Sequence, residues 1–224
     1  MRKIGFLTIG QAPRDDVISE MSPLLPAGLE IIQAGALDGL TPEQIKFLSP
    51  AGKEFPLATR LSQGRSVVVS REKIIPRLQA QVHKLESLGL DIMALLCTEN
   101  FPEITSTKTL LQPFLIMKQE VKRLPRPGKA LVLTPLEAQK EEAKKKWEAP
   151  GLEVLTAVLN PYATRRDIQP AIEIIKKEKA TIIIFDCIGY PLSLGESVAY
   201  QAGIPYLLPR ACLALAIRRL LQAK

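Results

Sequence analysis

The sequence predicts an α/β fold of two pseudo-symmetric lobes, each a mostly parallel sheet flanked by helices, with a β-hairpin inserted in the first lobe. Three observations lead to this prediction. Short apolar segments recur without polar alternation, as expected of parallel strands that are covered on both faces. Amphipathic helical patterns lie between these segments. Two segments of the first half also have counterparts in the second half.

Eight segments have the character of buried strands. They are 4–9, 29–33, 67–69, 92–97, 130–134, 154–158, 182–187 and 206–208. The inserted hairpin is predicted from 57–61 and 66–70, which are joined by a turn that contains Gly64. Prolines and a glycine make the preceding residues 50–56 a loop.

Helical periodicity marks the segments between strands. Apolar residues between 74 and 88 fall on one helix face at a spacing of about 3.6 residues. Pro76 predicts that this helix begins or kinks at that position. A second apolar face runs over 168–175 and is followed by KKEK, which suits a helix C-terminus. This strand–helix alternation predicts right-handed crossover connections.

The chain has a weak internal symmetry. IGFLTIG at 4–10 corresponds to ALVLTPL at 130–136. DIMALLCTEN at 91–100 corresponds to TIIIFDCIGY at 181–190. Each half therefore contains one strand that ends in threonine and one that ends in cysteine.

This symmetry divides the chain into two lobes. We expect an N-terminal lobe over 1–104, completed by the C-terminal helix at 209–224, and a C-terminal lobe over 105–208. RPGK at 126–129 is the expected crossover linker between the halves. The first half is longer because it contains the hairpin and an additional helical region.

The composition excludes several classes of site. A hydrophobic fraction of 46% and a charged fraction of 24% in 224 residues are ordinary for a globular chain. The single histidine, His83, cannot build a multi-histidine zinc site, and three cysteines spaced 90 and 25 residues apart form no metal knuckle or disulfide framework. We therefore expect no metal, reduced thiols and a cytoplasmic location. No apolar run is long enough for a signal peptide or membrane helix, so no membrane partner is expected.

The net charge of +7 permits nucleic-acid binding, but the basic residues are scattered. The densest run, KEEAKKKWE at 140–148, mixes signs at helical spacing and predicts a solvent-exposed helix face. We expect a small anionic molecule as the partner, and no nucleic acid.

Ligands of open α/β sheets bind at the carboxyl ends of strands, so the residues there form the candidate site. At the end of the first strand, Thr8 is followed by Gly10, Gln11, Pro13 and Arg14. Gly10 permits close approach of another segment, and Pro13 suits the first turn of a helix. Free N–H groups and Arg14 would attract an anion there, although an ordinary strand–helix turn explains this segment equally well. No dinucleotide or P-loop motif is present.

Two cysteines end equivalent strands of the two halves. Cys97 precedes Thr98 and Asn100, and Cys187 follows Asp186. Each cysteine taken alone is typical of a small buried hydrophobic residue. If the halves face each other, however, the two sulfurs meet across a shared cleft. A thiol and a thiolate placed in this way can remove a proton from one face of a carbon and return it to the other.

These motifs resemble a known superfamily. Strand-end Cys97-Thr98-x-Asn100 together with Cys187-x-Gly189 resembles the aspartate/glutamate/hydantoin racemases. LTIGQAPRDD, VVVSREKIIPRL and IIIFDCIGY together resemble the AroM family, a branch of that superfamily, over essentially the whole chain. The resemblance implies an enzyme without a cofactor, built from two α/β lobes that each contribute one catalytic cysteine. It also implies a possible homodimer.

The resemblance places Cys97 and Cys187 at the positions of the two acid/base thiols. The glutamate and aspartate enzymes usually carry Thr-His after the second cysteine, where this chain has Ile188-Gly189. Neither amino acid is therefore implied as the substrate. The expected substrate-binding residues are Thr8, Gln11, Arg14, Thr98, Asn100, Thr134, Asp186 and Gly189.

The leading hypothesis is an isomerase: a racemase, epimerase or related two-thiol enzyme acting on a small carboxylate. The same thiols could support cis–trans isomerisation or decarboxylation, and the sequence does not separate these reactions. The alternative is a non-catalytic protein that binds a small carboxylate between the same two lobes. Sulfurs packed in separate cores would exclude the enzyme.

Three further residues are expected to have structural roles. Arg71 is predicted to be a solvated residue at a helix start, although from there it could also reach an anionic group. Arg210 follows the last strand at the edge of the predicted crevice, and Cys212 lies on an apolar helix face and is predicted to be core.

Overall fold

The computed structural model describes residues 2–124 and 128–222. Within these ranges the chain forms two four-stranded parallel sheets, one two-stranded hairpin and eight α-helices. The predicted α/β class with two similar lobes is confirmed. No helix of these residues is both long and apolar enough to cross a bilayer.

The elements follow one another as strand–helix units with the hairpin between the second and third helices. In chain order they are β1 (Arg2–Thr8), α1 (Asp15–Met21), β2 (Leu29–Gly35), α2 (Pro42–Phe47), β3 (Pro56–Arg60), β4 (Ser66–Ser70), α3 (Arg71–Ser87), β5 (Ile92–Leu96), β6 (Thr109–Leu111), α4 (Pro113–Lys122), β7 (Gly128–Thr134), α5 (Lys140–Trp147), β8 (Leu152–Val158), α6 (Gln169–Glu178), β9 (Ile182–Phe185), α7 (Leu192–Ala202), β10 (Tyr206–Leu207) and α8 (Pro209–Gln222).

The two parallel sheets have equivalent strand orders. The first sheet is ordered β2-β1-β5-β6, and the second is ordered β8-β7-β9-β10. β1 and β7 are therefore counterparts, as are β5 and β9, which agrees with the internal symmetry of the sequence. In the first sheet Thr8 is paired with Leu96, and in the second Leu133 is paired with Phe185. The cysteines that follow β5 and β9 thus leave each sheet beside the end of its central strand.

All eight predicted strands are present, with β4 as an arm of the predicted hairpin. The sequence did not reveal β6, a three-residue strand that pairs with β5. Its residues Thr109–Leu111 belong to the first sheet although they lie beyond residue 104. The division into lobes at residue 104 stays a prediction. In the predicted linker at 126–129, residues 126 and 127 lie outside the described residues.

The C-terminal helix returns to the first sheet. In α8, Leu213 and Ile217 pack in one core with Ile4 and Phe6 of β1. α8 also lies against α1 and α4. The last element of the chain therefore connects the two halves through apolar burial, the main favourable contribution to folding.

Two predictions concern prolines. α3 does not begin at Pro76 but at Arg71, because the Ser70 side chain accepts a hydrogen bond from the Lys73 amide and caps the helix. Pro76 lies inside α3, and the alternative of a kink there stays a prediction. The prediction for Pro13 is wrong. Pro13 does not lie in the first turn of α1. It lies in a cis peptide bond before the helix, which begins at Asp15.

The β3–β4 hairpin lies across the carboxyl ends of both sheets. The Gln11 amide after β1 donates a hydrogen bond to the Arg60 carbonyl at 3.1 Å. From the second lobe, Gln139 Nε2 donates to the Pro56 carbonyl at 3.0 Å. The hairpin therefore closes over the cleft between the lobes and contacts both of them.

Gly10→Ala is expected to lower the free energy of unfolding by about 3 kcal/mol, because the new Cβ overpacks a closed contact. That Cβ would lie 2.2 Å from the Arg60 carbonyl oxygen and 2.5 Å from Thr59 Oγ1. Urea denaturation measures the loss. Gly52→Ala is the matched control: it has a φ of 57° and no neighbour within 4 Å of its Cβ, so it should cost about 1 kcal/mol from backbone strain alone. Equal losses in the two variants would contradict the predicted contact.

Candidate functional site

Cys97 and Cys187 line one cavity between the two lobes. Cys97 directly follows the last residue of β5, and Cys187 lies two residues after the last residue of β9. Their exposed fractions are only 8% and 7%. The cavity measures about 30 Å³, which is about the space of one water molecule. Phe55 and Leu57 beside the hairpin form part of its wall. Each cysteine packs against the apolar core of its own lobe, yet both also line this one cavity, so the two thiols are not enclosed separately from each other.

Backbone amides contact both sulfurs in the same way. The Glu99 N–H donates to Cys97 Sγ at 3.5 Å, and the Gly189 N–H donates to Cys187 Sγ at 3.4 Å. Each donor lies two residues after its cysteine, because each strand ends in a similar turn. Such donors favour the thiolate over the thiol.

Burial dominates the protonation of the two thiols. Burial raises the pKa of Cys97, and the Glu99 carboxylate and Cys187 raise it further. The Glu99 N–H lowers this pKa and so offsets part of the increase. Burial also raises the pKa of Cys187, and the Gly189 N–H, the Tyr162 hydroxyl and Arg14 partly offset it. Both cysteines are therefore neutral thiols at pH 7 in this closed form.

The stability of the protein should fall as the pH rises from 8.5 to 10. An unfolded cysteine ionises near pH 8.5, whereas the folded thiols hold their protons to higher pH. Above pH 8.5 the unfolded state thus binds fewer protons, and the loss is roughly 1.4 kcal/mol per pH unit for each thiol. Urea denaturation across this range measures the slope. It should be shallower for the double variant Cys97→Ser/Cys187→Ser, and an unchanged slope would contradict the raised pKa values.

A buried ion cluster joins the loops that carry the two cysteines. Lys146 Nζ of α5 lies 2.8 Å from both carboxylate oxygens of Asp186 and 3.5 Å from the Glu99 carboxylate. It also donates to the Thr98 carbonyl at 3.4 Å. Burial raises the pKa of Glu99, and Asp186 adds to this effect while Lys146 opposes it. All four of these residues line the cavity.

Tyr162 lies beside Cys187. Its hydroxyl is 3.8 Å from Cys187 Sγ. Gly189 makes room for it, since a Cβ at that position would lie 2.6 Å from the Tyr162 oxygen. Arg14 interacts with the same hydroxyl, and its guanidinium is held by Asp16 at 2.8 and 2.9 Å. The charge of Arg14 is thus neutralised by Asp16, and its side chain is buried at 2% exposure.

A second, larger pocket adjoins the thiol cavity. It measures about 490 Å³ and shares Phe55, Glu99, Glu142 and Lys146 with the cavity. Asn100 lies in its wall. We call this pocket the vestibule.

Comparison with known proteins gives the family. The profile of the AroM protein family matches residues 4–221. The chain belongs to the AroM family. The resemblance inferred from the sequence is therefore confirmed, while no curated protein sequence matches the chain significantly.

Solved structures share the fold of this AroM-family chain. Allantoin racemase from Klebsiella pneumoniae superposes with a TM-score of 0.67 at 10% identity, covering 100% of this chain and 89% of that one. Unliganded arylmalonate decarboxylase gives 0.61 at 14% identity, with 98% and 92% covered. Glutamate racemase from Francisella tularensis in complex with D-glutamate gives 0.62 at 15% identity, with 99% and 81% covered. These likenesses establish a racemase-like two-lobed fold.

The AroM-family fold brings only some of the expected site residues to the cavity. Thr98 and Asp186 line it together with the two cysteines, and Asn100 lines the vestibule. Gly189 contacts Cys187 through its amide. Arg14 approaches Cys187 from behind Tyr162 and does not line the cavity.

Three of the expected substrate-binding residues make hydrogen bonds within the protein. Thr8 Oγ1 accepts from the Gly10 amide, and Thr134 Oγ1 donates to the Leu136 carbonyl. Both hydroxyls are buried at the ends of the central strands. Gln11 Oε1 accepts from the amide and hydroxyl of Ser62 in the turn of the hairpin. These residues thus shape the turns and the closed hairpin and do not line the cavity.

The sequence did not reveal Lys146 or Tyr162. The interpretation of 140–148 as a solvent-exposed helix face is wrong for Lys146 and Trp147, whose neighbours Lys144 and Lys145 are exposed as expected. Ala143 and Trp147 are the buried residues of α5. That i, i+4 apolar pair was the available signal that one side of the helix packs inward.

The two arginines singled out are both held by partners. Arg71 is not a solvated cap, because it pairs with Glu103 at 2.9 Å, with Glu99 at 3.5 Å and with the Asn100 carbonyl at 2.7 Å. Arg210 is buried at the start of α8. Cys212 is partly buried against the core of the second sheet, and burial raises its pKa to about 11.

Within ranges 2–124 and 128–222, no cluster of histidine, cysteine or carboxylate side chains could hold a metal ion.

Proposed function

We propose that the chain is an isomerase without a cofactor, which moves a proton at the carbon next to a carboxylate. Cys97 and Cys187 would be its acid/base pair. The observation that carries the proposal is that both thiols line one cavity at equivalent strand ends of two similar lobes. The racemases that share the fold support it.

The proposed step needs no electron acceptor. One cysteine, as the thiolate, takes the proton from the substrate carbon and becomes a thiol. The electron pair left on carbon is delocalised into the carboxylate as an enolate-like ion. The opposite thiol then gives its proton to the other face of the carbon and becomes the thiolate. One proton is taken and one returned, so the charge of the site is unchanged.

The first thiolate has to form while the cavity is open to water. Burial raises the pKa of both cysteines in the closed form, so ionisation is easier before the hairpin closes than after it. Closure over a bound substrate then places a thiolate and a thiol in a dry cavity, where hydrogen bonds to an enolate-like oxygen are strongest.

The substrate carboxylate is proposed to bind to backbone N–H groups and neutral side chains. The ammonium of Lys146 and the guanidinium of Arg71 are already paired with carboxylates. Thr98 in the cavity and Asn100 in the vestibule are the neutral side chains in reach. The proposed partner is thus a small carboxylate that enters through the vestibule.

Exchange of the α-hydrogen with deuterium oxide tests the proposal. Proton NMR would follow a panel of amino acids and other carboxylates with the native protein, Cys97→Ser and Cys187→Ser. We expect exchange with at least one compound and its loss in both variants. Exchange with none, together with a ligand-induced rise in melting temperature that survives both substitutions, would favour the non-catalytic binding protein. Release of carbon dioxide would indicate a decarboxylase.

A homodimer and a cytoplasmic location complete the proposal. Light scattering of the purified protein tests the first. The free thiols of Cys97, Cys187 and Cys212 suit a reducing compartment.

A further inference from the structure

Lys146 is the one cation among the residues that line the thiol cavity as the structure describes it. Its side chain is 9% exposed, and its carboxylate partners Asp186 and Glu99 are 4% and 10% exposed. Asp186 directly precedes Cys187, and Glu99 lies two residues after Cys97. The ammonium thus contacts both cysteine-bearing loops from a third element, α5.

Stability alone does not account for a buried ion cluster of this kind. Burying an ammonium and two carboxylates carries a large desolvation cost, and apolar residues of similar volume are often as stable or more so. The buried apolar residues Ala143 and Trp147 already pack one side of α5, and Lys146 lies over the rings of Phe114 and Trp147 at 5.9 and 5.8 Å. The location of the cluster, between the two thiols, points to a role in the site.

We propose that Lys146 is a positioning residue of the two-thiol site, which holds the loops after β5 and β9 together and supplies the positive charge that favours ionisation of Cys97. The inference rests on the proposed function only for the catalytic role of the two thiols. The effect of the lysine on the thiols does not depend on any substrate.

The charged groups around the two thiols favour or oppose their ionisation. Lys146 favours the Cys97 thiolate, whereas the Glu99 carboxylate and Cys187 oppose it. On the second thiol, Asp186 opposes ionisation and Arg14 favours it. Burial lowers the pKa of Lys146, but Asp186 and Glu99 raise it above its usual value. The lysine is therefore still charged at pH 9.

The test is the rate at which iodoacetamide alkylates each cysteine between pH 7 and 10, measured by peptide mass spectrometry without substrate. In Lys146→Met, alkylation of Cys97 at pH 9 should be about tenfold slower, corresponding to one pKa unit. Lys146→Arg keeps the charge and should restore the rate to within about threefold of the native protein. Lys145→Met removes the exposed neighbour on the same helix and should change nothing.

Glu99→Gln keeps the proposal falsifiable if Lys146→Met fails to fold. This variant leaves Lys146 paired with Asp186, so the cation then acts on Cys97 without the opposing carboxylate. Alkylation of Cys97 should become roughly three- to tenfold faster. Slower alkylation of Cys97 in Lys146→Met together with faster alkylation in Glu99→Gln supports the proposal. If Lys146 only stabilised the fold, both substitutions would loosen the site, expose the thiols and make alkylation faster. Unchanged rates in Glu99→Gln, or faster alkylation of Cys97 in a folded Lys146→Met, would overturn it.

The result is distinguishable from failure of the proposed function. If no carboxylate exchanges its hydrogen but the alkylation rates shift as expected, Lys146 still tunes the thiols and the isomerase proposal fails alone. If exchange is found and the rates do not shift, the isomerase stands and the role of Lys146 falls.

Discussion

Cys97→Ser and Cys187→Ser are each expected to lower the interconversion of substrate stereoisomers by about 10²–10⁴-fold, the usual contribution of one general acid or base. The two cysteines line one cavity, and under the proposed function each would serve one face of the substrate carbon. A serine hydroxyl has nearly the same shape but is far less acidic than a thiol. The loss should therefore appear in turnover, with little change in folding. Chiral chromatography of the compound identified by deuterium exchange measures it.

The two single variants should lose activity to the same extent, because interconversion of the stereoisomers in either direction uses both thiols. Cys212→Ser is the matched control, since Cys212 lies in α8 against a different core. We expect that variant to retain native turnover. If one single variant kept native interconversion, the two-thiol step would be excluded and a one-thiol reaction would replace it.

Arg210→Met is expected to lower the free energy of unfolding by about 3 kcal/mol. The buried guanidinium donates to the carbonyls of Ile188, Gly189 and Asp16 at 2.8–3.0 Å and to the Glu20 carboxylate at 2.7 Å. It thus joins α8 to α1 and to the loop after Cys187. Methionine fills a similar volume but leaves these carbonyls without their donor. Glu20 is a third exposed and can turn to water, which limits the loss.

Urea denaturation with Arg218→Met as the control tests this prediction. Arg218 lies on the same helix and is exposed, so its replacement should change the free energy of unfolding by less than about 0.5 kcal/mol. A loss in Arg210→Met as small as in the control would contradict the role of Arg210 as the connection between the lobes.

The strands could be predicted because each is a short apolar run covered on both faces, and this pattern is local. The position of Cys97 and Cys187 at one cavity could be inferred because equivalent strands of the two halves are followed by a cysteine, and ligands of parallel sheets bind at the carboxyl ends of the strands. β6 could not be found in this way. Its three residues, Thr109–Leu111, are at most half-buried and form a strand only because β5 offers them a free edge.

The charges of the site could not be assigned from the sequence, because they depend on which distant segments meet. Lys146 looks like its exposed neighbours until α5 is placed against the loop after β5. Thr8 and Thr134 have the side chains of a carboxylate site, yet their own turns use the hydroxyls. Arg71 lies at a helix start as predicted, but Glu103 and Glu99 reach it from another loop.

The closed hairpin also bears on how tightly any ligand can bind. If the hairpin has to move before a carboxylate can enter this cavity of about 30 Å³, as the proposed function requires, only molecules with the hairpin displaced are competent to bind. The measured affinity is then the intrinsic affinity multiplied by the fraction of molecules that are open. With one molecule in about a hundred open, the apparent dissociation constant rises about a hundredfold. Weak binding in a ligand screen would accordingly report the population of open molecules as much as the quality of the contacts.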